Sequence, residues 1–277
     1  MALLEENQLN RSKQSNCTIV TCYYKFPSKH SYEEYDKWMT NFLTTIETPM
    51  VIFTDDESIE KIRQLRKWAE QNTVIINRPL QDTYCAQEKY MNYWMKDWQR
   101  DYERHIHNPK LYIVWNEKSK FVEEVIENNY FNTDYYCWCD IGCFRTSTNI
   151  EKYKKFPNIE KIEQTNSKDK IQLLNIESFN QREIDYVKKI KLDEAPIRNI
   201  FQLQHRIGGT IFIGHISAWK KWIPTFYTMI ETFMINNTFT GKDQDIMAMI
   251  TLLYPDIVNL IKPPTNNDWF YLQDYFI

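Results

Sequence analysis

The sequence is poor in glycine, with 5 in 277 residues, and it contains no apolar run of 18 residues. The scarcity of glycine excludes collagen-like and glycine-rich architectures, and the lack of a long apolar run predicts no membrane span. Neither GxGxxG nor GxxxxGK[ST] occurs, so neither a dinucleotide-binding Rossmann protein nor a P-loop NTPase is indicated. The 34 basic residues are balanced by 37 acidic ones, and we therefore expect no nucleic-acid partner.

Residues 1–15 are polar and lack the apolar centre of a signal peptide, which predicts a flexible N-terminal tail and a cytoplasmic location. Six cysteines in a chain without an export signal are expected to be reduced. Cys137, Cys139 and Cys143 lie close together and suggest zinc as one alternative. Their spacing is not CxxC and no histidine is near, so buried thiols in a strand fit the pattern better.

Aromatic residues make up 15% of the chain, with 18 Tyr and 9 Trp. Such rings are suited to stacking on flat or sugar-like ligands, although most of them are expected to fill the core. The hydrophobic share of 43% and the charged share of 26% are typical of a globular protein. No linker divides the chain, so we expect a single domain over residues 16–277.

The first half alternates short β-branched or aromatic runs with helical patterns. Residues 18–24, 50–54 and 73–77 are predicted strands. Ser31 with Glu34 three residues later predicts a capping box at the start of a helix. This β-α-β-α-β order predicts an α/β fold of Rossmann type, with a mainly parallel central sheet flanked by helices.

The second half continues less regularly. Residues 133–139 are predicted to form a buried strand that stops at Asp140, and residues 151–170 a charged loop. We expect the short apolar run 111–115 to be a strand rather than a helix. Further predicted elements are a helix at 83–104, strands at 171–174 and 210–213, a tryptophan-rich helix after residue 213, and a helix at 242–253.

Ligands of open α/β sheets bind beyond the carboxyl ends of the strands. That rule selects residues 21–24, residues 55–56 and residues 140–142, which could converge if their strands are neighbours. Asp140 follows an apolar strand, where a carboxylate needs a cation or a hydrogen bond. A divalent metal on two phosphates, with Gly142 allowing close backbone approach, is one interpretation; a turn aspartate that caps the next segment is the other.

Other polar residues also leave two interpretations open. Asp243 and Asp245 begin a helix, where they either complement its dipole or orient and deprotonate an acceptor hydroxyl. Gly208 and Gly209 form either a tight turn or a place where a sugar lies against the backbone. Lys118 is either a solvated charge or a partner for a diphosphate.

Six further stretches are notable: TIVTCYY at 18–24, FPSKHS at 26–31, VIFTD at 51–55, HIH at 105–107, WNEKS at 115–119 and WCDIGCFR at 138–145. Together these stretches resemble the HtrL/YibB family, and the likeness runs over about residues 17 to 255. Members of that family are associated with bacterial surface-polysaccharide gene clusters, are similar to GT-A glycosyltransferases, and resemble proteins of large DNA viruses. A viral member would act in the host cytoplasm.

The resemblance implies a GT-A-like fold and a metal-assisted glycosyltransferase. Residues 16–145 would bind a nucleoside diphosphate sugar such as a UDP-sugar, and residues 146–277 would face a glycan or glycoprotein acceptor. Mn²⁺ or Mg²⁺ would bind near an Asp-x-Asp motif, of which this chain keeps Asp140 and has Gly142 in place of the second acid. That departure supports an alternative, a non-catalytic carbohydrate- or protein-binding module on a degenerate GT-A fold.

The resemblance also implies a role for each candidate residue. Thr21 and Tyr23 would line the base and ribose pocket, and Asp55 would accept hydrogen bonds from the base or ribose. Donor-site residues would be Thr21, Tyr23, Asp55, Lys118, Asp140, Gly142, Gly208 and Gly209; the catalytic candidates are Asp243 and Asp245; the acceptor-side rings are Trp219, Trp222 and Trp269.

Overall fold

The computed structural model describes residues 15–165, 167–190, 197–265 and 267–277. The predicted N-terminal tail, apart from Ser15, lies outside the described residues.

One sheet contains strands from both halves of the chain. Its order is β3-β2-β1-β4-β6-β5-β7. Neighbouring strands are parallel except where β6 pairs with β4 and with β5. The strands are β1 (Cys17–Tyr23), β2 (Met50–Thr54), β3 (Thr73–Asn77), β4 (Tyr135–Cys139), β5 (Ile171–Asn175), β6 (Ile207–His215) and β7 (Val258–Ile261). The predicted α/β class with a mainly parallel sheet is confirmed.

Helices cover both faces of this sheet. They are α1 (Tyr32–Thr45), α2 (Ile59–Arg66), α3 (Glu88–Arg100), α4 (Pro109–Asn128), α5 (Glu160–Glu163), α6 (Gln181–Lys189), α7 (Ile216–Ile235), α8 (Asp243–Leu253) and α9 (Tyr271–Tyr275). Short 3₁₀ turns span Lys67–Asn72, Leu80–Asp82, Tyr84–Ala86, Ile150–Tyr153 and Pro255–Ile257. Within the described ranges no helix has both the length and the hydropathy needed to cross a bilayer.

Local sequence signals explain where two of these helices begin. Ser31 and Glu34 form the predicted capping box at the start of α1. The strand predicted at 111–115 is wrong, because these residues lie in α4. The Asn108 side chain accepts a hydrogen bond from the Leu111 amide, and Pro109 occupies the first helical position, a combination that starts a helix.

The core lies on both sides of the sheet because successive strand residues point to opposite faces. In β1, Val20 and Cys22 belong to one buried cluster, and Ile19 and Tyr23 to the other. Trp219 and Trp222 are fully buried in the same cluster as Val20 and Cys22. The prediction that these two rings contact an acceptor is therefore wrong, and they fill the core instead.

Candidate active site

The candidate residues lie at the end of the sheet where the carboxyl ends of several described strands meet. Strands β1, β2 and β4 are parallel neighbours, so Tyr23, Asp55 and Asp140 all follow or end strands there. Strand β6 runs the other way and brings its first residues to the same edge. The amide of Asp140 donates to the carbonyl oxygen of Thr210 at 2.8 Å. The three predicted segments therefore do lie on neighbouring strands.

A cavity opens at this edge between the ends of β1 and β4, helices α1 and α4, and the C-terminal segment. Of the residues predicted from sequence, Tyr23, Asp140 and Gly142 line it. Asp140 is the acidic residue among the described lining residues, and Arg145 is the basic one. Much of the remaining wall is aromatic, with rings from Tyr23, Tyr32, Tyr35, Trp115, Trp138 and Phe270.

Asp140 is held by one of its carboxylate oxygens. The indole Nε1 of Trp138 donates to Oδ1 at 2.7 Å, and the Lys118 ammonium lies 3.2 Å from the same oxygen. The side chain is 31% exposed, and within the described residues its Oδ2 makes no hydrogen bond. Asp140 therefore combines a fixed orientation with one carboxylate oxygen available to a ligand.

Lys118 lies behind Asp140, with a side chain only 3% exposed. Its Nζ donates to the Gly209 carbonyl at 2.7 Å and forms a 2.9 Å ion pair with Asp243. Burial lowers the pKa of Lys118, but the two carboxylates outweigh burial and raise this pKa above its ordinary value. The ammonium is already surrounded by protein oxygens, so the predicted contact of Lys118 with a diphosphate is corrected to a role in holding Asp140 and Asp243.

Asp243 is buried at the start of α8 and does not line the cavity. Burial raises its pKa, while Lys118 opposes that shift. Gly209 makes room for it, because a Cβ atom at Gly209 would lie 2.9 Å from the Asp243 Oδ2 atom. Asp243 is thus placed to compensate Lys118 rather than to contact an acceptor, which corrects its predicted catalytic role. Gly209 lies inside β6, which excludes the tight turn, one of the two alternatives that the sequence left open.

The remaining predicted residues do not line the cavity. Thr21 is fully buried in β1, so its predicted contact with a base is wrong. Asp55 is half-buried beside the β2 tip, and its buried Oδ1 makes no hydrogen bond in the described part of the chain. Gly208 packs inside β6 against Leu174. Asp245 is buried and accepts a 2.7 Å hydrogen bond from Asn199, so it cannot reach an acceptor in this structure.

The acidic group around Asp140 is a candidate metal-binding site. The formal charges of Lys118, Asp140 and Asp243 sum to −1, Asp140 lines the cavity, and its Oδ2 makes no hydrogen bond within the described residues. This arrangement fits a divalent cation that takes one protein carboxylate and completes its shell with phosphate oxygens and water, as Mg²⁺ often does. Gly142 supplies no second ligand.

A second acidic group lies away from the cavity. Asp101, Glu103 and His107 bring their ligand atoms within 4.8 Å of one another. Asp101 already accepts hydrogen bonds from His107 and Tyr112, at 2.8 and 2.5 Å. Burial opposes ionisation of Asp101, but these bonds outweigh it and hold its pKa at about 2. Glu103 pairs with Lys242. A metal would have to displace these partners, so we assign none to this group.

All six cysteines are buried free thiols. Cys139 and Cys143 contact the backbone carbonyls of Asp140 and Thr210. The metal-capable group found among the described residues contains no cysteine. The sequence alternative of buried strand thiols agrees with this arrangement better than a zinc site does.

Arg145 is a charged cavity residue that the sequence analysis did not single out. It lies three residues beyond Gly142, in the WCDIGCFR stretch. Its Nε donates to the Gly142 carbonyl at 3.2 Å. The position in that stretch was the available signal, but the rings that contact Arg145 belong to distant parts of the sequence.

Comparison with a solved structure supports the fold. Core-mannan synthase A from Aspergillus fumigatus, solved in a Mn/GDP form, is 11% identical over 90% of this chain and 73% of that chain, with a TM-score of 0.50. Mouse xyloside xylosyltransferase 1 in its apo form covers 88% of this chain and 84% of its own at 8% identity and a TM-score of 0.46. The fold of this chain is of the GT-A type.

No curated protein matches the sequence significantly. A family model described as "Bacterial protein of unknown function (HtrL_YibB)" matches residues 15–277. The match extends over nearly the whole chain and includes every strand described above. The chain therefore belongs to the HtrL_YibB family.

Proposed function

We propose that this protein is a glycosyltransferase that moves a sugar from a nucleoside diphosphate sugar, a UDP-sugar in the simplest case, to a glycan or glycoprotein. The observation that carries this proposal is Asp140, which lines an aromatic-walled cavity at the carboxyl ends of the strands of a GT-A fold and has one carboxylate oxygen without a hydrogen bond in the described residues. Ligands of open α/β sheets bind at such an edge.

The cavity suits the two ends of such a donor. Its rings, Tyr23 and Trp115 among them, offer flat surfaces on which a base or sugar can stack. Asp140 would hold Mn²⁺ or Mg²⁺ together with the donor phosphates, and the bound cation would supply positive charge to the leaving diphosphate. Trp138 and Lys118 keep the Asp140 carboxylate in place for that role.

Transfer breaks the bond between the anomeric carbon and a diphosphate oxygen, whose electron pair leaves with the diphosphate. A bond from the acceptor oxygen to that carbon forms, and the acceptor proton is released. The buried thiols agree with a reducing compartment such as the cytoplasm, which we include in the proposal.

The test is release of nucleoside diphosphate from a panel of UDP- and GDP-sugars, with Mn²⁺, with Mg²⁺ or with EDTA. Wild type should hydrolyse at least one donor, and Asp140→Asn should lower that rate about 100-fold, because a preorganised charge at the leaving group is lost. Asp256→Asn is the matched control, since Asp256 is an exposed aspartate before β7 that does not line the cavity.

Each outcome separates the alternatives. Equal hydrolysis by wild type and Asp140→Asn would remove Asp140 from its proposed role. Binding of sugar nucleotides or glycans without any turnover would favour the non-catalytic binding module, whose support is Gly142 in place of a second acid.

A further inference from the structure

A bound diphosphate would meet an electrostatic problem in this cavity. The ion group formed by Lys118, Asp140 and Asp243 carries a formal charge of −1, and Asp140 is its partly exposed member at the cavity wall. The Lys118 ammonium contacts Gly209, Asp140 and Asp243 and is buried, so it offers nothing to a ligand. Besides a metal ion held by Asp140, a side-chain cation for the diphosphate must therefore come from a residue other than Lys118.

Arg145 is positioned to be that cation. Its guanidinium carbon lies 4.1 Å from the centre of a Trp38 ring and 4.6 Å from the centre of the Phe270 ring. Its Nε is fixed by the Gly142 carbonyl. Within the described ranges, its two terminal nitrogens make no hydrogen bond or ion pair, and its side chain is exposed at the cavity wall.

This environment keeps the guanidinium oriented without neutralising it. Aromatic faces attract a cation and restrict its motion, but they leave its N–H groups free. A planar fork with free donors matches two oxygens of a phosphate, and less conformational freedom is lost on binding when the fork is already held.

We propose that Arg145 binds the diphosphate of the donor through its two terminal nitrogens. The proposal rests on the function proposed above and assigns its diphosphate contact to Arg145, the role that the sequence interpretation gave to Lys118. The Phe270 ring of the C-terminal segment lies against the Arg145 guanidinium, so it would help to orient the group that binds the diphosphate.

The experiment measures the binding of UDP, GDP, ADP and CDP, and of the matching nucleosides, by isothermal titration calorimetry with Mn²⁺ and with EDTA. The variants are Arg145→Met, Arg145→Lys and the control Arg182→Met, which changes an exposed arginine of α6 that does not line the cavity. Circular dichroism and melting temperature report on folding.

Arg145→Met should weaken the preferred nucleoside diphosphate 10- to 100-fold and change nucleoside binding less than 2-fold. Arg145→Lys should fall in between, because it keeps the charge and loses the fork. Arg182→Met should match wild type. A merely structural role for Arg145 would weaken nucleoside and diphosphate alike.

Wild-type affinity of Arg145→Met for the diphosphate would overturn the proposal, and so would equal loss of nucleoside and diphosphate binding. If Arg145→Met fails to fold, Arg145→Lys decides by the same comparison. If wild type binds no nucleoside diphosphate under either condition, the proposed function fails and this inference fails with it. Donor binding by wild type with no effect of Arg145 overturns the inference alone.

Discussion

Replacement of Lys118 by methionine tests the buried ion group directly. Methionine keeps much of the length of the side chain and removes its ammonium, so the Asp243 carboxylate stays buried without its partner 2.9 Å away. Removing one partner of a buried ion pair costs about 3–5 kcal/mol. Asp140 contributes less to that cost, because it is partly exposed and keeps its hydrogen bond from Trp138.

The cost of Lys118→Met should depend on pH in a defined direction. Burial already raises the pKa of Asp243, and loss of the ammonium raises it further. A carboxyl group with a raised folded-state pKa binds its proton more tightly in the folded protein, so the stability of the variant falls as pH rises. The difference between wild type and Lys118→Met should therefore be largest near pH 8 and smaller near pH 5.

Urea unfolding followed by tryptophan fluorescence measures this difference as a free energy of unfolding. Lys118→Met/Asp243→Asn should recover most of the loss, because it removes both buried charges. Lys110→Met is the control on the same helix, because Lys110 is exposed and makes no ion pair within the described residues, so its replacement should change the free energy of unfolding by at most about 0.5 kcal/mol. The reasoning is refuted if Lys118→Met costs less than about 1 kcal/mol at pH 8, or if the double variant is as unstable as the single one.

Two further substitutions perturb the same region. Gly209→Ala would place a Cβ atom 2.9 Å from the Asp243 Oδ2 atom. Because that carboxylate is held by Lys118, the substitution should destabilise by about 1–3 kcal/mol in urea unfolding; an unchanged midpoint would contradict the packing argument. Asp245→Asn should stabilise the protein at pH 8 by up to about 4 kcal/mol, because burial raises the pKa of Asp245 to about 7 and asparagine can still accept the bond from Asn199. As pH rises from about 4 to about 7, the free energy of unfolding of wild type should fall by this amount, and that of Asp245→Asn should not. A variant that is less stable than wild type at pH 8 would contradict this prediction.

The sheet was largely predictable because its signals are local. Parallel strands appear in this sequence as short β-branched or aromatic runs, and the predicted strands 50–54 and 73–77 match the observed strands fully. The run 111–115 was misassigned because a short apolar segment has no period that separates strand from helix. The deciding signal was Asn108-Pro109.

The site was predictable where position along a strand determines it. Asp140 and Gly142 follow β4 directly, and the rule for open sheets places them at the cavity. The roles of Lys118 and Asp243 depend on an ion pair between α4 and α8 that no local pattern contains. Arg145 depends on rings from α1 and from the segment before α9, so the sequence alone could not distinguish it from other exposed arginines.

A crystal structure with the preferred nucleoside diphosphate and Mn²⁺ tests the central claim most directly. The account predicts the phosphates between Asp140 and Arg145, with guanidinium nitrogens within hydrogen-bond distance of phosphate oxygens and the base against the aromatic wall. A nucleotide bound anywhere else on the protein, with the Asp140 and Arg145 side chains contacting no part of it, would contradict the account.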